Sequence, residues 1–151
     1  MKTLMHPTTH LGLNEESTKV DGTQYRAMIG SLQYLTTFRP DITFKVCLCA
    51  IFWKEPREVH LIAVKCIFRY LIGTPNLGHL FKRRESFRLI SYCDADYASD
   101  KVERKSTSGS CLLIEGNLVT WICKKQGSTV LSTTEAKYML AASYCAQLLW
   151  I

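Results

Sequence analysis

Leu89-Ile-Ser-Tyr-Cys-Asp-Ala-Asp-Tyr97 is the stretch that decides the fold of this 151-residue chain. Successive side chains of an extended backbone point to opposite faces, so Cys93 lies on one face and Asp94 on the other. The alternation predicts a β-strand that Asp94 closes, with a second carboxylate, Asp96, two residues on. A sheet aims carboxylates at its strand ends, where they can bind a hard divalent cation. The stretch therefore predicts part of a metal site, although an isolated Asp-x-Asp is also common in solvated loops.

Two further strands and a helix are expected downstream. Ser110 to Ile114 is predicted as the second strand and Leu118 to Cys123 as the third. Gly116-Asn117 between them is predicted to be a two-residue hairpin turn. Ser132 or Thr133 can then cap a final helix. This half of the chain is predicted to form three antiparallel strands plus one helix.

Upstream of the strands, apolar residues recur with the helical period. Residues 1–21 are polar and broken by proline and glycine, so they predict a flexible leader. Helical spacing of apolar residues then predicts one helix from Thr23 to Thr37, a second from Ile42 to Trp53 and a third that ends near Gly73. The fold class expected for the whole chain is α+β, with an N-terminal helical segment followed by the strands.

Composition and charge restrict the classes of function. The chain has 47% hydrophobic and 21% charged residues, which is ordinary for a soluble protein. No run approaches the ~18 apolar residues of a membrane span. The first residues show no secretory signal, and the seven cysteines lack the spacing of a zinc site or disulfide framework. An intracellular protein, cytoplasmic or nuclear and not secreted, is therefore expected.

A net charge of +6 suits a polyanionic partner such as nucleic acid. Basic residues cluster before the first strand and in the predicted loops of the second half. The candidates for nucleic-acid binding are Lys82, Arg83, Arg84, Arg104, Lys105, Lys124 and Lys125.

Seven short motifs, taken together, resemble one family. They are Tyr25-Arg-Ala-Met-Ile-Gly-Ser-Leu-Gln-Tyr-Leu, Arg39-Pro-Asp-Ile, Arg69-Tyr-Leu-Ile-Gly-Thr-Pro-Asn, Asp94-Ala-Asp-Tyr-Ala, Arg104-Lys-Ser-Thr-Ser-Gly, Leu131-Ser-Thr-Thr-Glu-Ala and Ala146-Gln-Leu-Leu-Trp. In this order they resemble the Pol polyprotein of plant copia-type LTR retrotransposons, over nearly the whole chain. By that resemblance, residues 22–80 look like the end of reverse transcriptase, its helical thumb or connection. Residues 86–151 look like the N-terminal part of a ribonuclease H domain, and the rest of the polyprotein is a possible partner.

The resemblance implies an enzyme that cuts RNA in an RNA–DNA hybrid with Mg²⁺. Asp94 matches the first catalytic aspartate of the family, and Asp96 is a possible helper. The catalytic glutamate of the family falls at the centre of Ala136-Lys-Tyr, where this chain has Lys137. Glu135 lies about 200° around the helix from that position, so it is not expected to substitute. The later catalytic aspartates of the family would lie beyond Ile151.

This replacement predicts a truncated ribonuclease H-like unit that is catalytically inactive. An incomplete metal site at Asp94 is not expected to hold Mg²⁺ stably. We expect the side chains of Asp94 and Lys137 to meet, so that the ammonium takes the electrostatic place of the metal. Two other readings remain open, a remnant that binds a hybrid or other nucleic acid weakly and in a salt-sensitive way, and a relic without function.

Overall fold

The chain folds into helices followed by a three-stranded antiparallel sheet and a last helix, which confirms the predicted α+β class. The computed structural model describes Leu4 and residues 11–12, 16–83, 88–100 and 103–149. Two compact units are present, the helical unit, Met1–Gly78, and the sheet unit, His79–Ile151. The elements are α1 (Gly22–Leu35), α2 (Pro40–Ala50), α3 (Glu58–Gly73), β1 (Leu89–Asp96), β2 (Thr107–Ile114), β3 (Asn117–Lys125) and α4 (Thr133–Leu148).

The apolar stripes of the first three helices meet in one core. Tyr25 and Leu32 of α1 are fully buried against Ile42 of α2 and Ile67 of α3. The hydroxyl of Tyr25 donates to the carbonyl of Cys49 at 2.8 Å, so this buried polar group is satisfied. Each buried apolar side chain of this size contributes roughly 1.5–3 kcal/mol relative to an exposed one. This burial is what holds the three short helices together, since isolated helices of their length are marginal in water.

A polar network closes the end of the helical unit where α2 begins and α3 ends. Arg39 donates to both carboxylate oxygens of Asp41, at 3.0 and 2.8 Å, and to the carbonyl and hydroxyl of Thr74, at 3.1 and 2.9 Å. The hydroxyl of Tyr70 donates to Asp41 at 2.9 Å. Burial raises the pKa of Asp41, but the hydrogen bonds from Arg39 and Tyr70 outweigh it and lower that pKa. Two of the family-like motifs therefore meet in a structural contact.

Hydrogen bonds join the described end of the predicted leader to the start of α3. The N–H of Glu58 donates to the carbonyl of Thr18 at 3.0 Å. His60 accepts from the N–H of Arg57 at 2.9 Å, and its other ring nitrogen lies 3.0 Å from the carbonyl of Gly12. The first N–H groups of a helix have no partner inside it, so the start of α3 satisfies them partly through this segment.

The sheet has the order β1-β2-β3, and two of its details differ from the sequence prediction. The hairpin turn is Glu115-Gly116, because Asn117 already pairs with Ile114 in β3. Glu115 and Gly116 both have positive φ, 54° and 79°, as a type I′ turn requires. A glutamate in that conformation is uncommon, so the sequence prediction places the turn one residue too late.

The second difference is that the first two residues of the basic loop predicted after the third strand, Lys124 and Lys125, belong to the strand. β3 runs to Lys125, so Lys124 and Lys125 pair with Ser108 and Thr107 of β2. Lysine is a weak strand former, and its position here is set by pairing with β2 rather than by local preference. The predicted start of the second segment, residue 86, lies outside the described residues.

Helix α4 packs on the end of β1. The hydroxyl of Ser132 accepts from the N–H of Glu135 at 3.1 Å, and the carboxylate of Glu135 accepts from the N–H of Leu131 at 2.7 Å. These two bonds fix the start of the helix. Ala136 is fully buried and clusters with Ala95 of β1. None of the described helices is both long and apolar enough to span a membrane.

Candidate functional site

Asp94 and Asp96 lie on the same face of β1, on either side of a buried alanine. Ala95 packs against α4, so the pleat directs the two carboxylates toward the other face of the sheet. The side chain of Asp94 is 85% exposed, and it accepts a hydrogen bond from the N–H of Ala95 at 2.9 Å. The residue paired with it on β2 is Gly109, which has no side chain to crowd it. Asp94 therefore presents its carboxylate openly at the edge of the sheet unit.

Lys137 reaches this carboxylate from α4. Its ammonium nitrogen lies 3.9 Å from Oδ1 of Asp94, which confirms the expected meeting of the two side chains. The neighbouring Ala136 packs against β1 and so places Lys137 beside the strand. The two side chains are 64% and 85% exposed, so solvent screens the pair and its contribution to stability is small.

Glu135 is engaged away from Asp94. Its carboxylate bonds to the N–H of Leu131, at the start of α4. This carboxylate, two residues before Lys137, is thus used to cap the helix.

The donors near Asp94 do not fit Mg²⁺. Within the described residues, no group of three or more His, Cys, Asp or Glu side chains is arranged to hold a metal ion. Magnesium needs an octahedral set of oxygen ligands, usually from carboxylates, water and substrate phosphates. Asp94 supplies one exposed carboxylate, and the ammonium of Lys137 beside it repels a cation.

The predicted nucleic-acid-binding residues do not form one patch. Lys82 hydrogen-bonds through its backbone to Asn117, at the hairpin end of β3, and Arg83 follows it. Lys124 and Lys125 lie at the opposite end of the same nine-residue strand. At about 3.3 Å per residue, the two ends are roughly 25 Å apart. Arg84 lies outside the described residues.

Two of the predicted basic residues are held in ion pairs. Lys125 contacts Asp100 at 2.8 Å and Glu103 at 3.1 Å, and Lys105 contacts Glu103 at 2.8 Å. The side chain of Asp100 is only 1% exposed. Burial lowers the pKa of Lys125, but its hydrogen bonds to Asp100 and Glu103 outweigh it and raise that pKa. Lys105 and Lys125 thus stabilise the loop between β1 and β2, while Arg104 beside them is exposed with a positive φ of 55°.

Lys124 lines a cavity between the sheet and α4. The cavity has a volume of about 260 Å³. The side-chain N–H₂ of Gln126 donates to the hydroxyl of Ser108 and the carbonyl of Ala136, at 2.9 and 3.0 Å. Its buried Oε1 has no partner among the described residues. The cavity has room for several water molecules, which are the ordinary partners of such an atom.

Three aromatic rings beside β3 were not singled out by the sequence prediction. His79 stacks on Trp121 and also approaches Phe81. The available signal was the alternation His79-x-Phe81 directly before Lys82. Two rings so spaced on an extended chain lie on one side of it.

Known proteins similar to the chain include two from Arabidopsis thaliana. It is 41% identical over 149 residues to the retrovirus-related Pol polyprotein from transposon RE1, and 36% identical over 149 residues to that from transposon RE2. Each alignment covers 99% of the chain, which spans about 10% of the length of either polyprotein. It is also 35% identical over 128 residues to secreted RxLR effector protein 161 of Plasmopara viticola, covering 84% of this chain and 90% of that protein. No family model and no solved structure matches the chain.

Proposed function

Because the chain belongs to the family of retrovirus-related Pol polyproteins from copia-type transposons, we propose that its sheet unit is a ribonuclease H-related module that binds nucleic acid without cutting it. The helical unit is then the end of the reverse transcriptase part of such a polyprotein. The observation that carries the proposal is the 3.9 Å distance between Lys137 and Asp94. It puts a fixed positive charge where the resemblance implies a carboxylate and a metal ion.

Electrostatics explains why cleavage is not expected. Phosphodiester cleavage by two metal ions needs several carboxylates around ions about 4 Å apart. Here one carboxylate, Asp94, faces one ammonium, Lys137, so their formal charges cancel. The ammonium can still attract a phosphate group, so the same replacement weakens metal binding and leaves nucleic-acid binding possible.

Binding of nucleic acid rests on the remaining exposed cations and on the net charge of +6. Lys82, Arg83, Arg104 and Lys124 are exposed, whereas Lys105 and Lys125 are engaged with carboxylates. Contacts between lysine or arginine and phosphate release counterions, so the affinity must fall steeply with salt. The proposed ligand is an RNA–DNA hybrid or a related nucleic acid, bound weakly.

The test is a binding and cleavage assay on a hybrid with a labelled RNA strand, with and without Mg²⁺. The unmodified chain should bind in a salt-sensitive way and leave the RNA intact. Lys137→Glu should also leave it intact, since the one carboxylate that it adds does not supply the later aspartates that the resemblance implies. Lys65→Glu is the matched control, because it makes the same charge change on an exposed position of α3. Cleavage by the unmodified chain, or by Lys137→Glu but not by Lys65→Glu, would refute the proposed inactivity.

Location in the cytoplasm or nucleus is part of the same proposal. One relative is named as a secreted effector, so secretion is the competing outcome. Fractionation of plant cells that express the tagged chain separates the two. Recovery of the chain from the medium would contradict the intracellular location and favour a secreted protein, as the name of that relative states.

A further inference from the structure

Three aromatic rings form a row beside β3, from Trp121 in the middle of the strand to Phe81, which precedes Lys82. The centroid of His79 lies 5.4 Å from that of Trp121, with the ring planes 23° apart, and 6.4 Å from that of Phe81. The row ends at Phe81, which is 64% exposed. Its outermost ring is thus open to solvent.

The row is held in place by the sheet. Trp121 belongs to β3 and pairs with Cys111 of β2. The side-chain amide of Asn117 accepts from the N–H of Lys82 at 2.8 Å and donates to its carbonyl at 2.9 Å. These are the two bonds that a neighbouring strand would supply, so they fix the backbone next to Phe81. The position of the exposed ring is therefore set before any ligand arrives.

Positive charge surrounds the row. Lys82 and Arg83 follow Phe81 directly and are exposed, and Arg88 is exposed at the same end of the sheet. The carbonyl of Arg88 accepts from the N–H of Glu115 at 2.8 Å, which ties Arg88 to the hairpin turn. The local excess of positive charge suits phosphate groups.

A purely structural cluster would explain the stacking of His79 on Trp121 but not the exposure at its end. Rings that serve only to fasten a segment are buried by doing so, whereas Phe81 is 64% and Leu80 76% exposed. Exposed rings beside cations are what proteins use to stack unpaired bases, since every base has a π-face. Bases within a duplex are already stacked on each other and cannot offer that face.

We infer that Phe81, at the end of the His79–Trp121 stack, is a base-stacking platform for single-stranded nucleic acid, and that Lys82 and Arg83 contact the phosphates next to the stacked base. This inference rests on the proposed function only in taking nucleic acid as the ligand. The platform lies at the opposite end of β3 from Lys124 and Lys125. It is thus separate from the edge where Asp94 meets Lys137.

Fluorescence anisotropy with the full chain and labelled oligonucleotides of about 15 nucleotides tests the platform. The probes are single-stranded oligothymidine, single-stranded oligouridine and an RNA–DNA hybrid. Phe81→Ala should weaken single-strand binding about 5- to 150-fold, and Phe81→Trp should restore it. Leu80→Ala is the matched control, because it removes a neighbouring side chain that is exposed to a similar degree and has no ring. It should change the affinity less than about twofold.

The phosphate contacts are tested by the salt dependence of the same binding. Lys82→Gln and Arg83→Gln should each reduce the slope of log affinity against log salt by about 0.7 for a single strand. Circular dichroism establishes that each variant is folded, which is expected because the substituted side chains are exposed. If circular dichroism shows that Phe81→Ala is misfolded, His79→Ala takes its place as the test. It shortens the row while leaving Phe81, and it must still reduce single-strand affinity.

Two results separate this inference from the proposed function. If Phe81→Ala leaves single-strand affinity within twofold while the hybrid still binds, the platform is wrong and the proposed function stands. If neither the hybrid nor a single strand binds at low salt, both are wrong. Equal losses of affinity for Phe81→Ala and Leu80→Ala would also overturn the platform, because they would indicate a general apolar contact.

Discussion

The helical unit and the sheet unit of this chain differ in the size of their apolar cores and in the polar contacts that surround them. In the described part of the helical unit, long apolar side chains from three helices form one core, and Arg39 and Asp41 are closed in a polar network. The described cluster between the sheet and α4 has fewer buried members, Ala95, Val130, Ala136 and Leu140. In the sheet unit Leu131, Tyr138 and Leu149 are 91%, 73% and 89% exposed. The contrast indicates that the larger apolar core of the described residues lies in the helical unit.

The largest expected effect is on the core of the helical unit. Leu32→Ala should destabilise that unit by about 2–5 kcal/mol, because it leaves a cavity among fully buried neighbours. Hydrogen exchange followed by mass spectrometry should show faster exchange in α1, α2 and α3 and little change in β1 to β3. If hydrogen exchange became equally faster in both units, the two units would unfold together and would not differ in stability. Leu80→Ala, at an exposed site, is the control.

The next effect is on the polar network of the same unit. Asp41→Ala should cost about 1–3 kcal/mol, because Arg39 and Tyr70 lose an acceptor in a half-buried site. Asp41→Asn should cost less, since it keeps one oxygen that can accept. Urea unfolding measured by circular dichroism gives both values. An unchanged unfolding free energy for Asp41→Ala would show that the network is a surface feature without a role in stability.

The contact between His60 and Gly12 should make the stability of the helical unit sensitive to acid. Burial lowers the pKa of His60, the hydrogen bond to Gly12 opposes this, and the charge of Arg57 lowers it further. Because the pKa of His60 is lower in the folded than in the unfolded chain, its contribution to the free energy of unfolding is complete above the unfolded pKa of about 6.5. This contribution declines as the pH falls below that value. The helical unit should therefore lose stability as the pH falls below about 6.5, the pKa of an unperturbed histidine, whereas Asp41, whose pKa is lowered, is protonated only at more acidic pH.

Urea unfolding of the chain and of His60→Gln across that range is the measurement. The variant should be less stable at neutral pH and should lose the pH dependence, since it cannot be protonated. The sheet unit serves as the internal control, because hydrogen exchange in β1 to β3 should not follow the same titration. A pH profile that is unchanged in His60→Gln would assign the effect to other groups.

The smallest expected effect is at the candidate site itself. Lys137→Ala should change the free energy of unfolding by about 0.5 kcal/mol or less, because both members of its pair with Asp94 are exposed. Thermal unfolding with and without added salt gives the value. A loss of unfolding free energy comparable to that of Asp41→Ala would mean that Lys137 stabilises the sheet unit.

The sequence predicted the elements well where one rule dominated. Helical spacing of apolar residues identified α1, α2 and α3 to within a few residues, because each stripe enters one core. The rule of alternation identified β1, which fits its buried Ala95 between exposed Asp94 and Asp96. The turn at Glu115-Gly116 was missed, since local preference gives glutamate no reason to adopt a positive φ.

The sequence by itself determined the family, because family membership is a matter of which residue stands at which position. It also determined the alternation that makes Asp94 a residue of a strand. Only the tertiary structure decided that Lys137 reaches Asp94, that Lys125 is paired with Asp100, and that Lys82 lies at the far end of β3 from Lys124. The reason is that antiparallel pairing and the packing of α4 bring together residues far apart in the chain, and local preferences contain no information about those distances.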